Sequence, residues 1–152
     1  MRDMRKWVPA LTACLLLGGA LTVGRVQAAD PVVTLAAPQG CAATAVAGCT
    51  VSGQGYRVTL KFDSTPASLT PLALTLRARP DPVSADVRFV MTGMNMGDNR
   101  FAFRRVDDNG RPVWRARAMI PACASGRVDW VAVLRLVYPQ RVVEIRVPFA
   151  TP

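Results

Sequence analysis

From residue 56 to the end of the chain, apolar and polar residues alternate with a period of two, the spacing of strands that bury one face. Tyr56, Val58, Leu60 and Phe62 alternate with Arg57, Thr59 and Lys61; Leu72, Leu74 and Leu76 alternate with Ala73, Thr75 and Arg77. The same rhythm runs through Ala85, Val87, Phe89 and Met91, through Phe101 and Phe103, and through Trp114, Ala116 and Ala118. It returns in Trp130, Ala132, Leu134 and Leu136, and in Val143, Ile145, Val147 and Phe149. These segments predict about seven strands and no helix, which is the strand number of an all-β, immunoglobulin-like antiparallel β-sandwich. Turn chemistry separates them: Pro80-Asp81-Pro82, Asp107-Asp108-Asn109-Gly110 and Tyr138-Pro139-Gln140. Asn109-Gly110 marks a hairpin, because both residues tolerate positive φ.

The beginning of the chain reads differently. Arg2, Arg5 and Lys6 precede an uncharged stretch from Trp7 to Gly24, and Val26 and Ala28 occupy the small-residue places before a signal-peptidase cut. Residues 1–28 therefore read as a signal peptide and the protein as periplasmic, with an uncleaved membrane anchor as the lesser reading. Leu11-Thr12-Ala13-Cys14 resembles a lipoprotein box, but Leu15-Leu16-Leu17 continue the apolar run past it, so Cys14 reads as an ordinary member of the signal and a lipid anchor as the minor alternative. Contact with a membrane is expected only through such an anchor. Residues 29–55, rich in Ala, Gly and Thr, form an N-terminal segment with no legible strand pattern, and residues 56–152 form the sandwich. The part from Ala29 onward is long enough to bury a core of its own.

Charge and composition narrow the chemistry. The formal charge is +9, and only Lys6 and Lys61 among the 19 basic residues are lysine. Removing residues 1–28 leaves +6. Export and the scatter of arginines over many segments argue against nucleic acid as a partner and for a solvated, Arg-rich surface. The chain contains no histidine, which excludes Ser–His–Asp and Cys–His catalysis and every histidine-based zinc or copper site. Asp107-Asp108 is hairpin chemistry and not an acid pair, Ser64, Ser68 and Ser125 have no evident base, and the chain does not read as an enzyme.

Cys41, Cys49 and Cys123 remain once Cys14 is set aside, and an oxidising compartment pairs two of them. If consecutive strands alternate in direction, the segment before Tyr56 and the loop after the Trp114 strand fall at opposite poles. A Cys41–Cys49 bridge is then expected, with Cys123 left as a free thiol. The same count brings the Cys123 loop to the pole of the segment Met91-Thr92-Gly93-Met94-Asn95-Met96-Gly97-Asp98-Asn99, which holds three of the six methionines. Met94 and Met96, two residues apart, point the same way if extended. Neutral thioethers and one thiol are soft ligands that select Cu(I). The plainer alternative makes Met91 a core residue and Met94 and Met96 the packing of a turn.

Met94-x-Met96-Gly97-x-Asn99, followed by Ile120-Pro121-x-Cys123 and Gly126-x-x-Asp129-Trp130, resembles a little-characterised group of bacterial exported proteins associated with copper handling and respiratory-oxidase assembly. The architecture is similar to that of FixH/YtkA-like periplasmic domains. The motif match covers residues 91–130 and marks Met94, Met96 and Cys123; it implies copper as cofactor and a membrane-bound respiratory-oxidase assembly or copper-handling protein as partner. A Cu(I) site built on these three sulfurs would take Met91 as its fourth ligand. A non-metal interaction module that docks a membrane protein is the rival reading.

Overall fold

A computed structural model describes residues 30–152. The signal-peptide reading, the anchor alternatives and Cys14 lie outside the described residues. Among the described residues ten strands form two sheets: β1 Val32–Ala36, β2 Cys49–Gly53, β3 Tyr56–Phe62, β4 Pro71–Arg79, β5 Ser84–Val90, β6 Arg100–Ala102, β7 Arg104–Asp108, β8 Arg111–Met119, β9 Asp129–Tyr138 and β10 Arg141–Ala150. The first sheet has the order β1-β10-β9-β5-β6 and the second β2-β3-β4-β8-β7. All pairings are antiparallel except β1 with β10. The protein is thus an all-β sandwich, and its seven periodic segments are all strands.

Three strands exceed the seven. The segment without a pattern supplies one strand to each sheet: β1 buries only Leu35, and β2 buries Cys49 and Val51 between exposed Thr50 and Ser52. The third arises because the Phe101 segment divides. Phe103, 6 % exposed, bonds its N–H to the Ala85 carbonyl (2.9 Å) and plugs the core between β6 in one sheet and β7 in the other. Asn109 (φ 54°) and Gly110 (φ 77°) make the tight β7–β8 turn, the backbone that their residue types favour.

Inward residues follow the alternation. Leu60, Leu72, Leu74, Leu76, Phe89, Leu134, Leu136, Ile145 and Trp130 are at most 1 % exposed. Phe149 stacks edge-on against Phe62 and Phe89, with ring centroids 5.0 and 5.8 Å away, and seals one end of the core. At the other end Tyr138 packs on Tyr56 (4.9 Å) and donates its hydroxyl to the Pro80 carbonyl (3.2 Å), and Trp114 Nε1 donates to Asp81 (2.8 Å). The two ends are called the methionine pole and the hairpin pole below. Both sheets, the core and the disulfide lie within residues 30–152, so this segment is a domain with its own core.

Cys41 and Cys49 form the disulfide, with Cα atoms 4.9 Å apart. The expected pairing is present, but its expected location is corrected. Cys49 opens β2 opposite Leu60, near the end of β3, and Phe62 bonds the Ala43 carbonyl (2.8 Å). The bridge therefore sits at the methionine pole and not at the opposite one, because β2 interposes a full strand between Cys49 and Tyr56. It occupies the outer β2 edge, with β3 and β4 between it and β8, which leads into the Cys123 loop. Opening it with Cys41→Ala/Cys49→Ala is expected to cost about 2.6 kcal/mol on the loop-entropy relation, read as a lower midpoint in urea at unchanged m.

Candidate functional site

The methionine loop leaves β5 and the Cys123 loop enters β9, and these two strands are hydrogen-bonded neighbours, with Val90 opposite Val131. That adjacency brings the loops together. Met91, 2 % exposed, continues the buried row of β5, while Met94, Met96 and Cys123 are half-buried and pack against the core from its end. Gly93 (φ 77°) sits third in a four-residue turn closed by the Met94 N–H on the Met91 carbonyl (3.2 Å). Asn95 and Gly97 on either side of Met96 are exposed, so Met94 and Met96 turn the same way, toward the core.

Asn99 locks this conformation. Its Oδ1 accepts from the Phe89 N–H (2.7 Å), and its Nδ2 donates to the carbonyls of Phe89 (2.8 Å) and Met96 (3.2 Å). A side-chain amide thus takes the place of a strand partner for the last inward residue of β5 and holds Met96 in the same grip. Asn95 Oδ1 accepts from the Gly97 N–H (2.9 Å), which tightens the turn between them.

The sulfurs of the two loops meet through Ser125. Its hydroxyl lies 3.0 Å from Cys123 Sγ and donates to Met94 Sδ at 3.8 Å. Cys123 Sγ and Met94 Sδ are therefore no farther apart than those two lengths laid end to end. Gly126 (φ 68°) closes the turn on the Cys123 carbonyl (3.1 Å). Arg127 then ties loop to loop: its Nη1 donates to the Thr92 carbonyl (3.0 Å), while Nε and Nη2 grip the Asp129 carboxylate as a fork. Asp129 is held below the usual carboxylate range by that hydrogen bond, and Arg127 is raised by it.

These contacts also act on the thiol. The Ser125 hydroxyl, then the backbone N–H groups of Ser125 and Arg127 and the Arg127 charge, favour the Cys123 thiolate, outweigh partial desolvation and lower its pKa. Ser125 has one proton to give, and the anionic sulfur is a stronger acceptor than the thioether. Ser125→Ala is expected to raise the thiol pKa, so that the pH midpoint of alkylation by iodoacetamide moves upward and the rate at neutral pH falls.

The site brings Met94 and Cys123 together through Ser125, anchors the Met96 backbone through Asn99, and leaves Met91 sealed below as a core residue, one backbone bridge from Met94. Among the described residues no three His, Cys, Asp or Glu side chains cluster as metal ligands, so a metal at this pole would have to be held largely by thioethers. Sequence reasoning set Ser125 aside for want of a base and passed over Arg127. The signal for both was their place beside the cysteine and beside Asp129, which spacing alone does not weight. Trp130 fills the core at the base of the site, and its Nε1 is the one buried side-chain polar atom among the described residues that lacks a partner.

No family model, curated protein or solved structure matches the chain. Among the described residues no helix is long and apolar enough to cross a membrane.

Proposed function

We propose that the protein is a periplasmic Cu(I)-binding or copper-delivery protein whose ligands are Met94 Sδ, Met96 Sδ and Cys123 Sγ. The observation that carries this reading is the Ser125 bridge between a thioether and a free, half-buried thiol from two different loops. Soft, polarizable sulfur suits monovalent copper, and a chain without histidine offers little to Cu(II) or Zn(II) here. Each residue then has a role. The thioethers bind without releasing a proton, the thiolate supplies the neutralising charge, Ser125 stabilises that charge, Asn99 fixes the methionine loop on β5, and Arg127 ties that loop to the Cys123 loop.

A site for handover needs approach from outside. Leu69 (63 % exposed) bonds the Ile120 carbonyl through its N–H, and Met119 and Val128 (40 and 45 % exposed) bracket the Cys123 loop. Exposed apolar side chains beside half-buried ligands suit a docking rim, and the motif resemblance points to a membrane-bound copper-handling or oxidase-assembly protein as the partner. An interaction module without metal, the rival reading, assigns no role to the Ser125 bridge between Cys123 and Met94.

Copper titration of the reduced 30–152 domain against a competing Cu(I) chelator tests the proposal. One equivalent is expected to be retained by the wild type and none by Met94→Ala/Met96→Ala/Cys123→Ala; equal retention by both would refute it. The thiolate share of the affinity should fall as pH drops through the Cys123 pKa, since protons then compete for sulfur. The thioether share should stay level.

A further inference from the structure

The fold sorts the arginines by sheet, which their scatter in the sequence conceals. Among the described residues seven arginines have no carboxylate within ion-pair distance: Arg57, Arg79, Arg104, Arg111, Arg115 and Arg117, all on the second sheet, and Arg141 at the foot of β10. The first sheet instead answers Arg88, Arg100, Arg135 and Arg146 with Asp86, Asp98 and Glu144. On the second sheet Arg57 stands directly opposite Arg79, and Arg104 opposite Arg115. Like charges at such positions repel and lower stability. A surface needed only for solubility would balance its signs, as the first sheet does; the second pairs Lys61, Arg77 and Arg105 with Asp63, Asp108 and Asp81 and leaves six arginines over.

We infer that the outer face of the second sheet docks on an anionic phospholipid surface. Two features favour a bilayer over a single small anion. The unpartnered guanidinium groups come from four adjacent strands, β3, β4, β8 and β7, at the roughly 5 Å strand spacing, an array suited to many headgroups. Exposed Val106 shares β7 with Arg104 and offers apolar contact at the interface. The Pro31 carbonyl accepts from the Val142 N–H at the foot of β10, which places the start of β1 at the hairpin pole. A groove of about 760 Å³, lined by Arg57, Arg77, Arg79 and Arg111 together with Asp81 and Asp108, opens there, where β4 and β8 part beyond the Leu76–Trp114 pair. Arg77 is occupied by Asp108 (2.9 Å), which leaves the other three for lipid phosphate. Docked this way, the domain keeps the sulfur loops at the pole away from the groove.

Co-sedimentation of the 30–152 domain with vesicles tests this. Binding is expected to vesicles of equal phosphatidylglycerol and phosphatidylcholine, not to phosphatidylcholine alone, and to vanish in high salt. Arg57→Gln/Arg79→Gln/Arg115→Gln should weaken it about 100-fold, at about five-fold for each arginine. Its melting temperature should stay the same or rise, because two repulsive pairs are relieved. Arg88→Gln/Arg135→Gln/Arg146→Gln changes net charge equally and should weaken binding less than about five-fold, the share of one arginine. Should that variant unfold, Arg135→Gln against Arg57→Gln repeats the comparison with Asp86 still paired to Arg100. Equal losses on the two sheets, binding to neutral vesicles, no binding at all, or full displacement by millimolar inorganic phosphate would each overturn the inference, the last by marking a small-anion site in the groove.

Discussion

Asn99→Ala is expected to destabilise the domain by about 3 kcal/mol, the largest effect of any exchange outside the core. Three hydrogen bonds from one amide end on the Phe89 and Met96 backbone, and Phe89 itself is fully buried, so its N–H and carbonyl would lose their partner without gaining water. Asn99→Asp keeps the acceptor for the Phe89 N–H but forfeits both donated bonds and sets a charge against two carbonyls, so it should recover little of the loss. Urea denaturation of the three proteins measures this directly. The same change frees Met96, and copper affinity should fall with it even under conditions where Asn99→Ala remains folded.

Met94→Leu/Met96→Leu should do the reverse. Leucine and methionine have similar volume, and both positions are half-buried against the core, so stability is expected to change by less than about 1.5 kcal/mol. Copper retention should fall by on the order of 100-fold or more, since two of three sulfurs are gone and even supporting groups around metals are worth about 10- to 100-fold. Paired with Asn99→Ala, this variant separates the framework of the loop from its ligands: one loses stability and binding together, the other binding alone.

Where burial alternates cleanly, the fold was legible. β3, β4, β5, β8, β9 and β10 each bury every second side chain, and the alternation located all of them. β1 and β2 escaped because one buries a single residue and the other alternates small polar residues with Cys49 and Val51, too little apolar contrast for a periodic signal. β6 and β7 looked continuous because a strand that changes sheet at Phe103 keeps its sequence rhythm while its hydrogen-bond partners change. Counting strand directions placed the methionine and Cys123 loops together correctly, since short connections do alternate there. The same count misplaced Cys49 because it could not see β2. Asn99 was visible only as one letter of a motif, and the charged face was invisible, because Arg57, Arg79, Arg104 and Arg115 are neighbours only across strands.

The copper proposal rests on sulfur atoms from two loops sharing one ion. X-ray absorption at the copper edge of the Cu(I)-loaded, reduced 30–152 domain reads that arrangement most directly. A first shell of sulfur alone at about 2.3 Å, close to the zinc–thiolate length, is the predicted result, with one scatterer fewer in Cys123→Ser. A shell dominated by nitrogen or oxygen, or one unchanged by Cys123→Ser, would contradict it.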